Sequence, residues 1–286
     1  MGRMDGKVVF ITGAARGQGR AHSLRLAEEG ADIIGVDLCA NIDSNGYALA
    51  SANDLDETKK LVEKTGRSMF TAVADVRDRT PLAEALAAVV KEFGYLDGVI
   101  AQAGICPLGT TGGQPFIDAV SVDFVGVVNA VEAALPYLER GASIVATGSL
   151  AALIAGSTDN PANGTGGLGY ALAKRQIASF INDLAVVLGP EGIRANAIHP
   201  TNCNTDMLNS DVMYKIFRPD LEDPTRDDAL VAFPAMSGMG VPFIEPEDSA
   251  AAAAFLLSDE ARYITGMQLR IDSGGYVKLR PQQPTF

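Results

Sequence analysis

Short runs of apolar, mostly β-branched residues alternate along the chain with longer amphipathic stretches. "KVVFIT", "DIIGVD", "MFTAVAD", "LDGVIAQ", "SIVATG", "IRANAIHP" and "MQLRID" predict seven strands, with helical patterns between successive ones. Near-continuous apolar strands separated by helices predict a mainly parallel sheet covered on both faces, a doubly wound α/β fold. Two stretches break the alternation. Residues 38–53, "LCANIDSNGYALASAN", delay the helix after the second strand, and a Met-, Phe- and Pro-rich excursion over about 206–245 follows the sixth. Insertions at the carboxyl ends of parallel strands are where such folds take ligands, so both are candidate lids, the alternative being plain surface loop.

With 286 residues and 47% apolar content the chain can bury a large core. One domain over 1–286 is favoured over two, since no Pro-, Gly- or Ser-rich linker divides it and no repeat is visible. The net charge of -12, without a Lys or Arg run, lacks the footprint of a nucleic-acid or anionic-membrane binder. No apolar run in the sequence pattern reaches a membrane span, and "MGRMDGKVVFITG" has no leader-like pattern, so a cytoplasmic protein is expected. The three cysteines, Cys39, Cys106 and Cys203, have no Cys-x-x-Cys spacing and read as packed thiols. With two histidines far from other ligands, no metal site is expected.

The first strand runs into "TGAARGQG". Gly13, Gly17 and Gly19, between a strand and a helix with Arg16 and Gln18 among them, would let backbone amides approach a pyrophosphate at a helix N-terminus. The second strand ends at Asp37, whose carboxylate would accept from both ribose hydroxyls and repel a 2'-phosphate; NAD is favoured over NADP, with Arg16 a weak pull the other way. Further on, Tyr170 and Lys174 stand at i and i+4, one face of a helix, after a small-residue stretch that begins at Ser149. A phenol is a poor base at neutral pH unless a cation favours the phenolate, and Lys174 would be that cation.

In this order, "TGAARGQG", "DV" at Asp75 and Val76, "AQAG" at 101–104, Ser149, Tyr170 with Lys174, and "HPTNCNTDM" resemble the short-chain dehydrogenase/reductase family over nearly the whole chain. The 38–53 insertion and the tail over 217–275, "FRPDLEDPTRDD" to "MQLRIDSGG", look like its mycofactocin-coupled, carveol dehydrogenase-like branch. The resemblance implies a single Rossmann domain, a homotetramer packed through helices around 115–139 and 169–188, and NAD held so tightly that an external redox carrier, mycofactocin, recycles it. It implies a secondary alcohol and ketone as substrates, apolar or alicyclic (terpenoid-like). Tyr170 would be the general base, Lys174 would also hold the nicotinamide ribose, and Ser149 would position the substrate oxygen.

The resemblance further places Leu38, Asp75, Val76, Gln102, Ala103, Gly104, Pro200, Cys203 and Thr205 against the cofactor, with Thr205 donating to the nicotinamide carboxamide. Met207, Met213, Phe217, Phe233, Met236 and Met239 would suit an apolar substrate. Two positions depart from the family. Gln102 replaces the asparagine that braces the central strands, and Asp123 replaces the fourth catalytic residue, an asparagine that holds a water beside the lysine. The charge of Asp123 would partly cancel the field of Lys174 on Tyr170. Asn129 reads as a structural helix residue instead. These departures keep open a second class, a dinucleotide-binding regulatory or structural protein with weak chemistry.

Overall fold

A computed structural model describes residues 2–280. All seven expected strands form: β1 (Val8–Thr12), β2 (Asp32–Asp37), β3 (Met69–Val73), β4 (Leu96–Ala101), β5 (Leu138–Thr147), β6 (Arg194–Pro200) and β7 (Gln268–Ile271). Their spatial order is 3-2-1-4-5-6-7, and every pairing is parallel, so the sheet is wholly rather than mainly so. The helices are α1 (Gly17–Glu28), α2 (Ala52–Glu63), α3 (Arg79–Val90), α4 (Gln114–Val120), α5 (Gly126–Ala134), α6 (Gly164–Leu188), α7 (Asp211–Phe217), α8 (Arg226–Ala232), α9 (Pro246–Leu257) and α10 (Gly275–Leu279).

Alternation along each strand divides the core in two. In β1, Val8 and Phe10 join the layer formed with α3, α5 and α6, while Val9 and Ile11 join the layer formed with α1, α2 and α9. This is why β1 is apolar at consecutive positions. The strand order reverses between β1 and β4, which opens a crevice at their carboxyl ends, the position where open parallel sheets take ligands.

Three boundaries differ from the sequence pattern. β5 begins at Leu138, five residues early, because Glu139, Arg140 and Gly141 are exposed across a register break and carry no apolar signal. α2 begins at Ala52, capped by Ser51, whose hydroxyl accepts from the Asp54 amide while the Asp54 carboxylate accepts from the Ser51 amide. The insertion therefore ends at 51 rather than 53. The run Gln114–Tyr137 does have the length and apolarity of a membrane span, contrary to the sequence expectation; 56% of its most apolar window is buried, and it packs on α3 and α6 as a core helix.

Gln102 is the brace at the crevice floor. Its Oε1 accepts from the Thr147 hydroxyl at 2.6 Å and faces His22 Nε2 at 3.1 Å, joining β4 to β5 and α1. The Thr12 hydroxyl accepts from the Gln102 and Ala103 amides at 3.2 Å each, adding β1. The loss of the family's asparagine is thus made good by a longer side chain.

His22 is fully buried, its Nδ1 has no partner, and burial pushes its pKa down from 6.5 to about 4 against the raising effect of Gln102. Between those values the unfolded chain takes a proton that the folded one refuses, so His22 withdraws stability as pH falls, by up to about 3 kcal/mol. His22→Leu should flatten the decline in urea midpoint between about pH 7 and about pH 5; equal slopes for the two proteins contradict this account.

Candidate active site

Gly13 turns the chain off β1 with φ +69, and a Cβ there would meet the Ala103 backbone at 2.8 Å. That close approach joins the first turn to the 102–104 loop and shapes the floor of a cleft at the switch point. Gly13, Arg16, Gly17, Gln18, Gly19, Asp37, Leu38, Asp75, Val76, Gln102, Ala103, Gly104 and Thr205 all line it. Pro200 and Cys203 face the adjoining cavity, which Thr205 and Gln18 also border.

The Asp37 carboxylate is held at the end of β2, Oδ2 accepting from the Ala15 amide at 3.0 Å and Oδ1 from the Cys39 amide at 3.1 Å. The second bond places Cys39 at φ +53, a left-handed conformation. A fixed carboxylate here disfavours a phosphate on the ribose. Arg16 is not free to offset it, since its guanidinium pairs with Asp206 at 2.9 Å and donates to the Ala48 carbonyl. Asp75 is gripped by Arg77 at 2.6 Å, Arg77 also reaches Asp118 at 3.1 Å, and Asp118 accepts from the Ser44 hydroxyl at 2.7 Å. Asn129 Nδ2 donates to the Val76 carbonyl at 2.8 Å, a structural role as expected.

The insertion lies over this cleft and brings Ile42, Tyr47 and Leu49 to its wall. The Tyr47 hydroxyl accepts from the Cys106 amide at 3.3 Å. A Cβ at Gly46 would stand 2.7 Å from Val212, so insertion and α7 are in contact. The sequence pattern does not single out Tyr47, a lone aromatic in a polar loop.

Across the cleft, Lys174 and Asp123 are buried together. Lys174 Nζ donates to the Thr147 carbonyl at 3.0 Å and lies 3.5 Å from Asp123 Oδ2, while Asp123 Oδ1 accepts from the Ile105 amide at 2.7 Å. Asp123 sits in a π-helical turn, Ser121–Val125, that joins α4 to α5 and turns its carboxylate toward Lys174. Burial holds its pKa up at about 6 against the pull of Lys174 and the Ile105 amide. Its Oδ2 is free of hydrogen bonds.

Tyr170, one turn before Lys174 on α6, has its ring centroid 5.5 Å from Nζ. Burial first, then the neighbouring Cys106 and Asp123, raise the phenol well above its usual 10, and a hydrogen bond with the Ser149 side chain opposes this. Ser149 caps a 3-10 turn, Leu150–Ala152, its hydroxyl accepting from the Ala151 amide at 3.1 Å. The expected trio therefore converges, with Asp123 beside it.

The small-residue stretch before Tyr170 has two uses. Gly156, Ser157, Thr158 and Asn163 border the cavity, whereas a Cβ at Gly166 would strike the Pro107 carbonyl at 1.9 Å, so those glycines let α6 lie against the loop after β4. Of the apolar candidates, Met207, Met213, Phe217 and Met236 line the cavity. Phe233 is packed away with Leu208, Tyr214 and Ala229, and Met239 is exposed, so neither faces substrate. Thr201 Oγ1 and Asn202 Nδ2, unassigned from the sequence, are buried without partners beside the cavity, as is Gln18 Oε1 where cleft and cavity meet. Cys106 and Cys203 are buried thiols whose pKa burial raises, as their spacing suggested. No cluster of three metal-ligating side chains is present among the described residues.

The family profile described as enoyl-(acyl carrier protein) reductase matches residues 13–276. A putative short-chain type dehydrogenase/reductase of Mycolicibacterium smegmatis is 43% identical, covering 97% of this chain and 99% of its own. The (-)-trans-carveol dehydrogenase of Rhodococcus erythropolis is 38% identical, covering 97% and 100%. The crystal structure of carveol dehydrogenase from Mycobacterium avium in complex with NAD superposes with a TM-score of 0.92 at 39% identity over 97% of this chain and all of that one, 100%. With its glycine turn, switch-point cleft and Ser149, Tyr170, Lys174 convergence, the chain belongs to the short-chain dehydrogenase/reductase family.

Proposed function

We propose that this NAD-dependent alcohol oxidoreductase interconverts an apolar, alicyclic secondary alcohol, terpenoid-like as carveol is, with its ketone. The observation that carries this is the meeting of Ser149, Tyr170 and Lys174 where a dinucleotide cleft opens into a cavity walled by Leu108, Leu150, Met207, Met213, Ile216 and Phe217. The cleft suits NAD on its own chemistry: a fixed Asp37 at the ribose end and, where it opens into the cavity, unpartnered Gln18, with unpartnered Thr201 and Asn202 in the cavity beyond. Bound there, NAD supplies the hydride acceptor.

The chain's own residues do the rest. Ser149 orients the alcohol oxygen, Tyr170 takes the hydroxyl proton in oxidation and returns it in reduction, and Lys174, its Nζ 5.5 Å from the Tyr170 ring centroid, is the cation placed to favour a phenolate. The apolar wall excludes water from the carbinol carbon. Arg16, by gripping Ala48 and Asp206, ties the insertion to the loop after β6 across the cleft, which supports a tightly held NAD recycled by an external redox carrier such as mycofactocin. Exposed Ile117 and Val125 on the 115–139 helices and Val186 and Val187 on the 169–188 helix suit burial in a homotetramer. A cytoplasmic location fits these assignments.

A panel of alicyclic secondary alcohols, run with NAD and an artificial electron acceptor, tests the reading. Tyr170→Phe should lower turnover by about 10²–10⁴-fold with cofactor content unchanged. Cofactor binding without turnover across the panel would instead favour the regulatory protein. Asp123 adds a pH signature: its charge raises the phenol, so Asp123→Asn should move the acid limb of the oxidation profile to lower pH. An unmoved limb removes Asp123 from the electrostatics of the site.

A further inference from the structure

His199 is a fully buried imidazole that the mechanism above does not use. Its Nε2 is 2.7 Å from Gln268 Oε1. The Gln268 amide nitrogen donates to the Ala178 carbonyl at 3.2 Å and to Asn182 Oδ1 at 3.0 Å, so its oxygen is left as the acceptor toward the ring. Nε2 must then carry the proton, and Nδ1 presents a lone pair. That lone pair faces Ser149, whose amide nitrogen lies at 3.2 Å and carbonyl oxygen at 3.0 Å. Ser149 is fully extended, φ -166 and ψ 153, so its N–H and C=O point to the same side and both meet one ring nitrogen.

Ring position is fixed by packing as well. A Cβ on Gly148 would come within 2.5 Å of Nδ1, so the imidazole lies directly on the backbone that precedes Ser149. The far end of the relay is equally placed. Ala178 and Asn182 stand one and two turns beyond Lys174 on the same face of α6, the face that carries Tyr170 one turn before it.

We infer that His199 is a positioning residue of the alcohol site: its Nε2–H tautomer, set by Gln268, holds the Ser149 backbone and thereby keeps the Ser149 hydroxyl in register with Tyr170 and Lys174. Protonation at Nδ1 would reverse the contact. The ring would donate to the Ser149 carbonyl and leave the Ser149 amide facing a donor, so the contact that sets the Ser149 backbone changes partner in acid. Burial opposes a second proton on the ring, the contacts with Gln268 and the Ser149 backbone favour one, and the charges of Lys174 on α6 and Arg270 on β7 add to the opposition. The inference rests on the alcohol-oxidoreductase reading above, and its structural half can be tested without turnover.

The chain has two histidines, so nitrogen-15 NMR of histidine-labelled protein gives a spectrum of two rings, assignable with His22→Leu. The Nε2–H tautomer is expected for His199; an Nδ1–H ring, donating to the Ser149 carbonyl, overturns the inference whatever the substrate proves to be. For function, Gln268→Glu puts a carboxylate on Nε2 and favours the doubly protonated ring, whereas Gln268→Leu removes the same helix contacts without the charge. The Glu variant should show an acid limb of kcat moved to higher pH, with kcat about tenfold below wild type on that limb and recovered in alkali. The Leu variant should lack that displacement. Identical profiles for the two variants would show a merely structural contact and end the proposal. His199→Asn, which keeps an acceptor near the Ser149 amide, should retain more kcat than His199→Phe; equal kcat in two folded variants overturns the inference, and if either fails to fold the NMR and the Gln268 pair decide.

Discussion

A buried ammonium governs how this protein is put together. Lys174 is 4% exposed, and an isolated ion in such a place costs several kcal/mol unless partners converge on it. The partners come from two elements, the Thr147 carbonyl at the end of β5 and the Asp123 carboxylate in the π-turn between α4 and α5, and they meet the ammonium that a third, α6, carries. Removing one member of a buried pair costs about 3–5 kcal/mol, a large share of a domain's stability, so these elements are held at their meeting point by the charge they enclose. Tyr170 is placed by the same requirement, one turn away on α6.

The charge sits at the end of the sheet where the strand order reverses, and there the catalytic cavity and the dinucleotide cleft share a wall. Short polar ties keep that edge in register: Thr12 to the 102–104 loop, Gln102 to β5 and α1, His199 to Ser149. Above it, Arg16 and Ser44 draw the insertion onto the body of the molecule. Rigid floor and clasped roof are what hydride transfer needs, since the reacting carbon and the nicotinamide must be held in one geometry with water excluded.

How much of this a reader of the sequence could see depends on the range of the interaction. The seven strands were legible because two-faced burial makes each a continuous apolar run, and only β5 was clipped, where Glu139 to Gly141 leave the core. Ser149, Tyr170, Lys174 and the glycine turn were legible through order and spacing along the chain. What the pattern hid was long-range and polar. Arg16 looked like a phosphate partner but is spent on Ala48 and Asp206; Gln102 looked like a lost brace but reaches farther and restores it; Tyr47 and the His199 relay act between residues some fifty or more apart, as the 59 positions from Tyr47 to Cys106 illustrate. Met239 and Phe233 misled for the opposite reason, since apolar residues in a lid segment carry the same signal whether they face substrate, core or solvent.

NAD suits the clasped cleft, and the tight hold proposed for it is the property on which the proposed function turns. The most direct test needs no substrate: protein purified without added nucleotide is heat-denatured, and the released dinucleotide is identified and quantified against protein by mass spectrometry. The account predicts about one NAD or NADH per chain and no NADP. A nucleotide-free protein, or one that carries NADP, would contradict it.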